Sequence, residues 1–166
     1  MGYAIVDKPC CEPVVCVDAS VVVKWLVDEE DSEAALDVLE RWGQAGTALI
    51  APPLLEFEIY SVLRRLLFHE RLSRERAREA IDYFHALEIE TRTASLLLRR
   101  AWELSERFAR PTTYDSVYVA LAEIEGCPLY TCDRRLLNAV SRSLPWVRPL
   151  QLRARPDAPV YLPAQG

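Results

Sequence analysis

The stretch Val14-Val15-Cys16-Val17-Asp18-Ala19-Ser20 decides the fold class. Its first four residues are small or β-branched and apolar with no polar alternation, the pattern of a strand buried on both faces of a parallel sheet. That strand ends on a carboxylate. Open parallel sheets bind ligands just beyond the carboxyl ends of their strands, so Asp18 stands where such a fold places its chemistry. The plainer reading is that Asp18 caps a following helix.

Working outward, residues 1–13 hold Gly/Pro punctuators and no period, so they read as a loose leader. Ser20 to Leu26 is a short apolar run around Lys24 and Trp25. Asp31 or Ser32 opens a helix through Trp42, with Gly43 as its stop. Thr47 to Ala51 reads as a second strand, and Pro52-Pro53 leads into a long helix from about Leu54 to His69. Ser73 caps the next helix, whose Ile81, Phe84 and Leu87 face inward. Glu88 to Thr91 is a short third strand, and Thr93 opens a helix to about Phe108. Thr112 or Thr113 starts one that runs to Glu125 and stops at Gly126. Pro128 to Cys132 is a fourth strand, Arg134 to Val140 a short helix, and Trp146 to Leu150 an edge strand. The tail, residues 151–166, holds three prolines and reads as extended or disordered.

Strands separated by helical crossovers make a parallel sheet covered on both faces, so the expected class is a single-domain, three-layer α/β/α sandwich over residues 14–150. No internal repeat or low-complexity tract interrupts it. At 166 residues, with 51% hydrophobic and 27% charged content, the composition is that of an ordinary globule, and a chain of about 150 residues buries roughly 68–70% of its unfolded surface without staples. There is no run of 18 apolar residues and no signal-peptide pattern, which points to the cytoplasm. The five cysteines contain no pair at zinc-ligand spacing and read as reduced thiols, none of them a nucleophile. A net charge of −5 speaks against a polyanionic partner. That objection weakens because Lys8 and Lys24 are the only lysines among 20 basic residues, the rest being arginines suited to bidentate phosphate contacts.

Four carboxylates stand out. In the helix from Leu54, the residues Leu54, Leu55, Ile59, Val62, Leu63 and Leu66 form one stripe, and Glu58 falls inside it. A carboxylate there needs a partner, either an ion pair with Arg65 or a metal. Asp115 lies in the first turn of its helix, where Thr112-x-x-Asp115 has the form of a capping box. Asp133 directly follows the fourth strand and could cap the helix from Arg134. Each local reading is sound alone, yet together they leave two strands both ending in Asp beside two further acids. Carboxylates about 4 Å apart repel by around 4 kcal/mol at an effective dielectric of 20, so four that converge on one site would either protonate or bind hard divalent cations. Mg²⁺ or Mn²⁺ suits an all-oxygen ligand set and serves phosphodiester hydrolysis.

Four blocks carry a resemblance: residues 17–26 (VDASVVVKWL), 51–63 (APPLLEFEIYSVL), 114–123 (YDSVYVALAE) and 129–136 (LYTCDRRL). In this order the chain resembles the PIN-domain ribonucleases, specifically the VapC-type toxins, over about residues 14–150. The resemblance implies a metal-dependent endoribonuclease, the toxin of a type II toxin-antitoxin pair, with Asp18, Glu58, Asp115 and Asp133 as catalytic and metal-site acids. Ser20 and Thr131 would support them by hydrogen bonds, and Lys24, Arg134 and Arg135 are candidate RNA phosphate contacts. It also implies a homodimer blocked by a cognate antitoxin, and no membrane. The helices at 54–69 and 73–87 carry more apolar surface than one sheet face can cover, which agrees with self-association. The family often has Asn three residues after the helix acid, where this chain has Ser61. The alternative is a PIN-like module that keeps its acids but only binds RNA or docks a protein. Phosphatases of the haloacid dehalogenase kind need an aspartate two residues after the first, where Ser20 stands, and a receiver domain does not match the order of acids.

Overall fold

The computed structural model describes residues 12–152. Among the described residues five parallel strands form one sheet: β1 (Val14–Val17), β2 (Ala48–Ala51), β3 (Glu90–Thr91), β4 (Leu129–Thr131) and β5 (Val147–Pro149), in the spatial order β3-β2-β1-β4-β5. Val15, Cys16 and Val17 are wholly buried at its centre, as their unbroken apolar run requires. From β1 the chain steps outward to β2 and β3, then returns to the opposite side of β1 for β4. The strand order therefore reverses between β1 and β4, where an open parallel sheet forms its binding crevice. Cys16 pairs with Leu129 and Val17 with Tyr130, so Asp18 comes level with Thr131.

Seven helices flank the sheet among the described residues: α1 (Ala19–Leu26), α2 (Ser32–Ala45), α3 (Leu54–Phe68), α4 (Arg74–Ala86), α5 (Leu97–Arg107), α6 (Tyr114–Glu125) and α7 (Arg134–Val140). One layer consists of α6, packed against β1 and β4, with α5 laid on it; α1, with α2, α3 and α4 gathered around it, forms the other. Every residue of α6 from Ser116 to Ala122 is buried, which explains a sequence of small and apolar residues with no polar face. The three-layer α/β/α class is the one the sequence indicates.

Several boundaries differ. The run from Ser20 to Leu26 is a full helix, α1, because Asp18 accepts the Val21 N–H at 3.2 Å and so caps its first turn. Gly43 does not stop α2; the chain passes through it to Ala45 and turns at Gly46, whose φ of 69° is left-handed and whose N–H bonds back to Gly43 and Trp42. An interior glycine costs about 1 kcal/mol, too little to end a helix by itself, whereas Gly46 supplies the left-handed turn that does. Thr93 does not open α5, which begins at Leu97. The Arg92 N–H still bonds to Ala51 at 2.9 Å and its guanidinium pairs with Glu90 and Glu125, so the sheet edge holds that segment extended.

Most of the leader and tail, residues 1–11 and 153–166, lies outside the described residues. Glu12 and Pro13 are tied to the sheet: Tyr130 Oη donates to Glu12 at 2.9 Å, Arg148 pairs with the same carboxylate, and the Ala48 N–H bonds to the Pro13 carbonyl at 2.9 Å. No helix among the described residues is long and apolar enough to cross a membrane.

Candidate active site

Asp18 follows β1 and Asp133 follows β4, and one hydroxyl joins the Asp18 carboxylate to the Asp133 backbone. Thr131, fully buried at the end of β4, donates from Oγ1 to Asp18 Oδ2 and accepts the Asp133 N–H at 2.9 Å. Ser20 Oγ donates to Asp18 Oδ1 at 2.6 Å and accepts the Cys132 N–H at 2.8 Å. These bonds hold Asp18 in a single orientation at 7% exposure. Burial pushes its carboxyl up to about 6, although the Ser20 and Thr131 hydroxyls pull the other way. Asp133 also caps α7, accepting the Arg135 N–H at 2.7 Å and the Leu136 N–H at 3.3 Å. The capping roles read for these two acids are therefore real and do not remove them from the crevice.

Glu58 approaches from α3 and Asp115 from α6. Glu58 is half-buried, and its carboxyl is raised by burial and by the negative charge of Asp115, against a hydrogen bond that lowers it. That bond comes from the Tyr118 hydroxyl, not from Arg65, so the expected ion pair is replaced by a phenol. Tyr118 is 2% exposed, and burial followed by the fields of Glu58 and Asp18 pushes its own ionisation far above the usual range. Ser61 bonds back to the Phe57 carbonyl at 2.7 Å and lends Glu58 nothing. Asp115 pairs with Arg110 at 2.7 Å, and Thr113, at the N-cap of α6, makes no side-chain capping bond, so the Thr112 capping box does not form.

Two ties between these elements are direct: the Thr131 hydroxyl bonds the Asp18 carboxylate and the Asp133 backbone amide, and Asp115 lies near enough to Glu58 for its charge to raise that carboxyl. Among the described residues no three His, Cys, Asp or Glu side chains are gathered tightly enough to hold an ion as they stand. Each carboxylate instead holds a local partner: Ser20 and Thr131 for Asp18, Tyr118 for Glu58, Arg110 for Asp115, and its own helix for Asp133. The donor set is all oxygen, and two of its members carry raised pKa values, the condition of acids awaiting positive charge. On that chemistry the residues fit a hard divalent cation.

Residues 15–142 match the family model of the PIN domain. The chain is 36% identical over 120 residues to Ribonuclease VapC9 of Mycobacterium tuberculosis, an overlap of 69% of this chain and 92% of that protein. It belongs to the PIN-domain family, in its VapC branch. Ribonuclease VapC1 of the same organism is 35% identical over 125 residues, covering 74% of this chain and 88% of the relative. Ribonuclease VapC3 of Pyrobaculum aerophilum is 32% identical over 120 residues, covering 72% and 89%.

In this PIN domain, Lys24 donates to the Glu30 carbonyl and borders a cleft of about 550 Å³ beside Ser20, which Arg65, His69 and Arg71 also line. Arg134 and Arg135 are exposed in the first turn of α7. Cys16, Cys127 and Cys132 are free thiols raised chiefly by burial, Cys132 to about 11, so none is primed as a nucleophile. Cys10 and Cys11 lie outside the described residues. Sequence reasoning missed Tyr118 and Arg110. Tyr118 left a readable signal, since a tyrosine in a helix turn otherwise made of Val, Ala and Leu must find a partner for its hydroxyl.

Proposed function

We propose that this PIN-domain protein is a Mg²⁺- or Mn²⁺-dependent endoribonuclease, the toxin of a type II toxin-antitoxin pair acting in the cytoplasm. The observation that carries the reading is the buried Asp18 carboxylate at the point where the strand order reverses, held by a Thr131 hydroxyl that also takes the Asp133 backbone amide, with Asp115 near enough to Glu58 for its charge to raise that carboxyl. Asp18, Glu58, Asp115 and Asp133 would hold the cation. When bound, it offsets the charge of a phosphodiester and lowers the pKa of an attacking water. The chain's own part is orientation: Ser20 and Thr131 aim Asp18, and the α7 amides aim Asp133. Lys24, Arg134 and Arg135 would take RNA phosphates, a role supported for Lys24 by the basic cleft that it lines beside Ser20.

Purified protein stripped with EDTA is expected to lose cleavage of single-stranded RNA and to regain it on graded addition of Mn²⁺; undiminished cleavage in EDTA sinks the proposal. The non-catalytic alternative predicts RNA binding with no cleavage at any metal concentration. It is disfavoured because the relatives that match over most of the chain are named ribonucleases.

A homodimer and a protein inhibitor belong to the same reading. Phe57 and Phe68 on α3 are 72% and 68% exposed, and Leu98 and Trp102 on α5 are 71% and 60% exposed, more apolar surface than an isolated helix layer leaves in water. Sedimentation velocity is expected to show a dimer at micromolar concentration; a lone monomer there counts against self-association.

A further inference from the structure

We propose that Tyr118 is a positioning residue for the metal site, its hydroxyl holding Glu58 in the one orientation from which that carboxylate can serve a cation. The inference rests on the metal-site reading above and adds a residue to it.

Glu58 and Tyr118 belong to different helical layers, α3 and α6, and are 60 residues apart in the chain. A glutamate has three rotatable bonds, and nothing on its own helix restrains this one: Ser61, one turn on, is bonded to the Phe57 carbonyl, and Arg65 forms no pair with it. Among the described residues the Tyr118 hydroxyl is the hydrogen-bond partner of Glu58. It engages Oε2 and leaves Oε1 open. Tyr118 lies one turn after Asp115 on α6, so a single rigid helix both supplies one acid and aims another.

Packing does not explain the hydroxyl. Tyr118 is surrounded in sequence by Val117, Val119, Ala120 and Leu121, all buried, and a phenylalanine ring would fill the same space without burying a polar atom. The hydroxyl is present where a ligand carboxylate needs an orienting donor. Partners of this kind, which touch the ligand and not the ion, are worth about 10–100-fold in metal affinity.

The test is Tyr118→Phe in the full chain, with Mn²⁺ affinity measured by calorimetry and thermal melts run in EDTA. A positioning role predicts Mn²⁺ binding weakened by about 10–100-fold while the EDTA melting midpoint stays close to the wild type. Raised Mn²⁺ concentration should then recover part of the cleavage lost. Affinity within about twofold of the wild type, well short of the effect such partners have, overturns the proposal. So does a variant that melts well below the wild type in EDTA, or fails to fold, because the hydroxyl is then structural. If the wild type binds no Mn²⁺, the metal-site reading falls first and this inference with it.

Discussion

Glu58→Gln is expected to lower RNA cleavage by two orders of magnitude or more while leaving the fold intact and the melting midpoint in EDTA at or above that of the wild type. Glutamine keeps the length of the side chain, and its carbonyl can still accept from Tyr118. What disappears is a charge that burial and Asp115 both penalise. Loss of groups that merely orient a metal ligand already costs about 10–100-fold, so removal of a ligand charge should cost more. The competing account, an ionised Glu58 that is purely structural and satisfied by the Tyr118 hydroxyl, predicts the opposite for stability. Weakening a hydrogen bond to a charged group costs about 1.5–3 kcal/mol, which at this chain length lowers the midpoint by on the order of 5 °C. Melts of both proteins in EDTA separate the two, and a drop of that size rejects Glu58 as a metal-site acid.

Asp18→Asn should be equally inactive and, without metal, more stable than the wild type at pH 7. Asparagine remains a good N-cap for α1, and its side-chain carbonyl can keep the Ser20 and Val21 bonds. The stability gain follows from linkage. The Asp18 carboxyl has a folded pKa of about 6 against an ordinary 3.8, so between these values the folded protein binds a proton that the unfolded chain has released. Metal-free stability therefore falls as pH rises from about 4 to about 6 and stays reduced above. The span is about two pKa units, on the order of 3 kcal/mol at pH 7. The asparagine side chain does not titrate, so the gap between variant and wild type should close by about pH 4. Added Mn²⁺ should reverse the ranking at pH 7 by stabilising the wild type alone. A wild type that is the more stable of the two in EDTA at every pH would show that ionised Asp18 is satisfied by its hydroxyls and waits for no cation.

What the sequence determined by itself is the set of features with local causes. Short unbroken apolar runs make β1 and its neighbours; 3.6-residue periods mark the helices; Asp18, Ser73 and Asp133 cap the helices that follow them; Gly126 ends α6 with a left-handed φ of 65°. These patterns were enough for the α/β/α class, and with four motif blocks in order they were enough for the family and for naming four candidate acids. Tertiary structure decided everything that depends on which layer lies against which. That β4 returns beside β1, and so sets the Asp133 backbone against the Thr131 hydroxyl that holds Asp18, is a property of strand order that no periodicity encodes. Arg65 lies on the same helix as Glu58, two turns further along, and Thr112 has capping-box spacing to Asp115. The partners chosen are Tyr118, 60 residues away, and Arg110, from the turn between α5 and α6. Sequence spacing lists the side chains that can meet along one helix. Packing between helices selects which of them do, because a half-buried carboxylate takes the donor that the neighbouring layer presses against it.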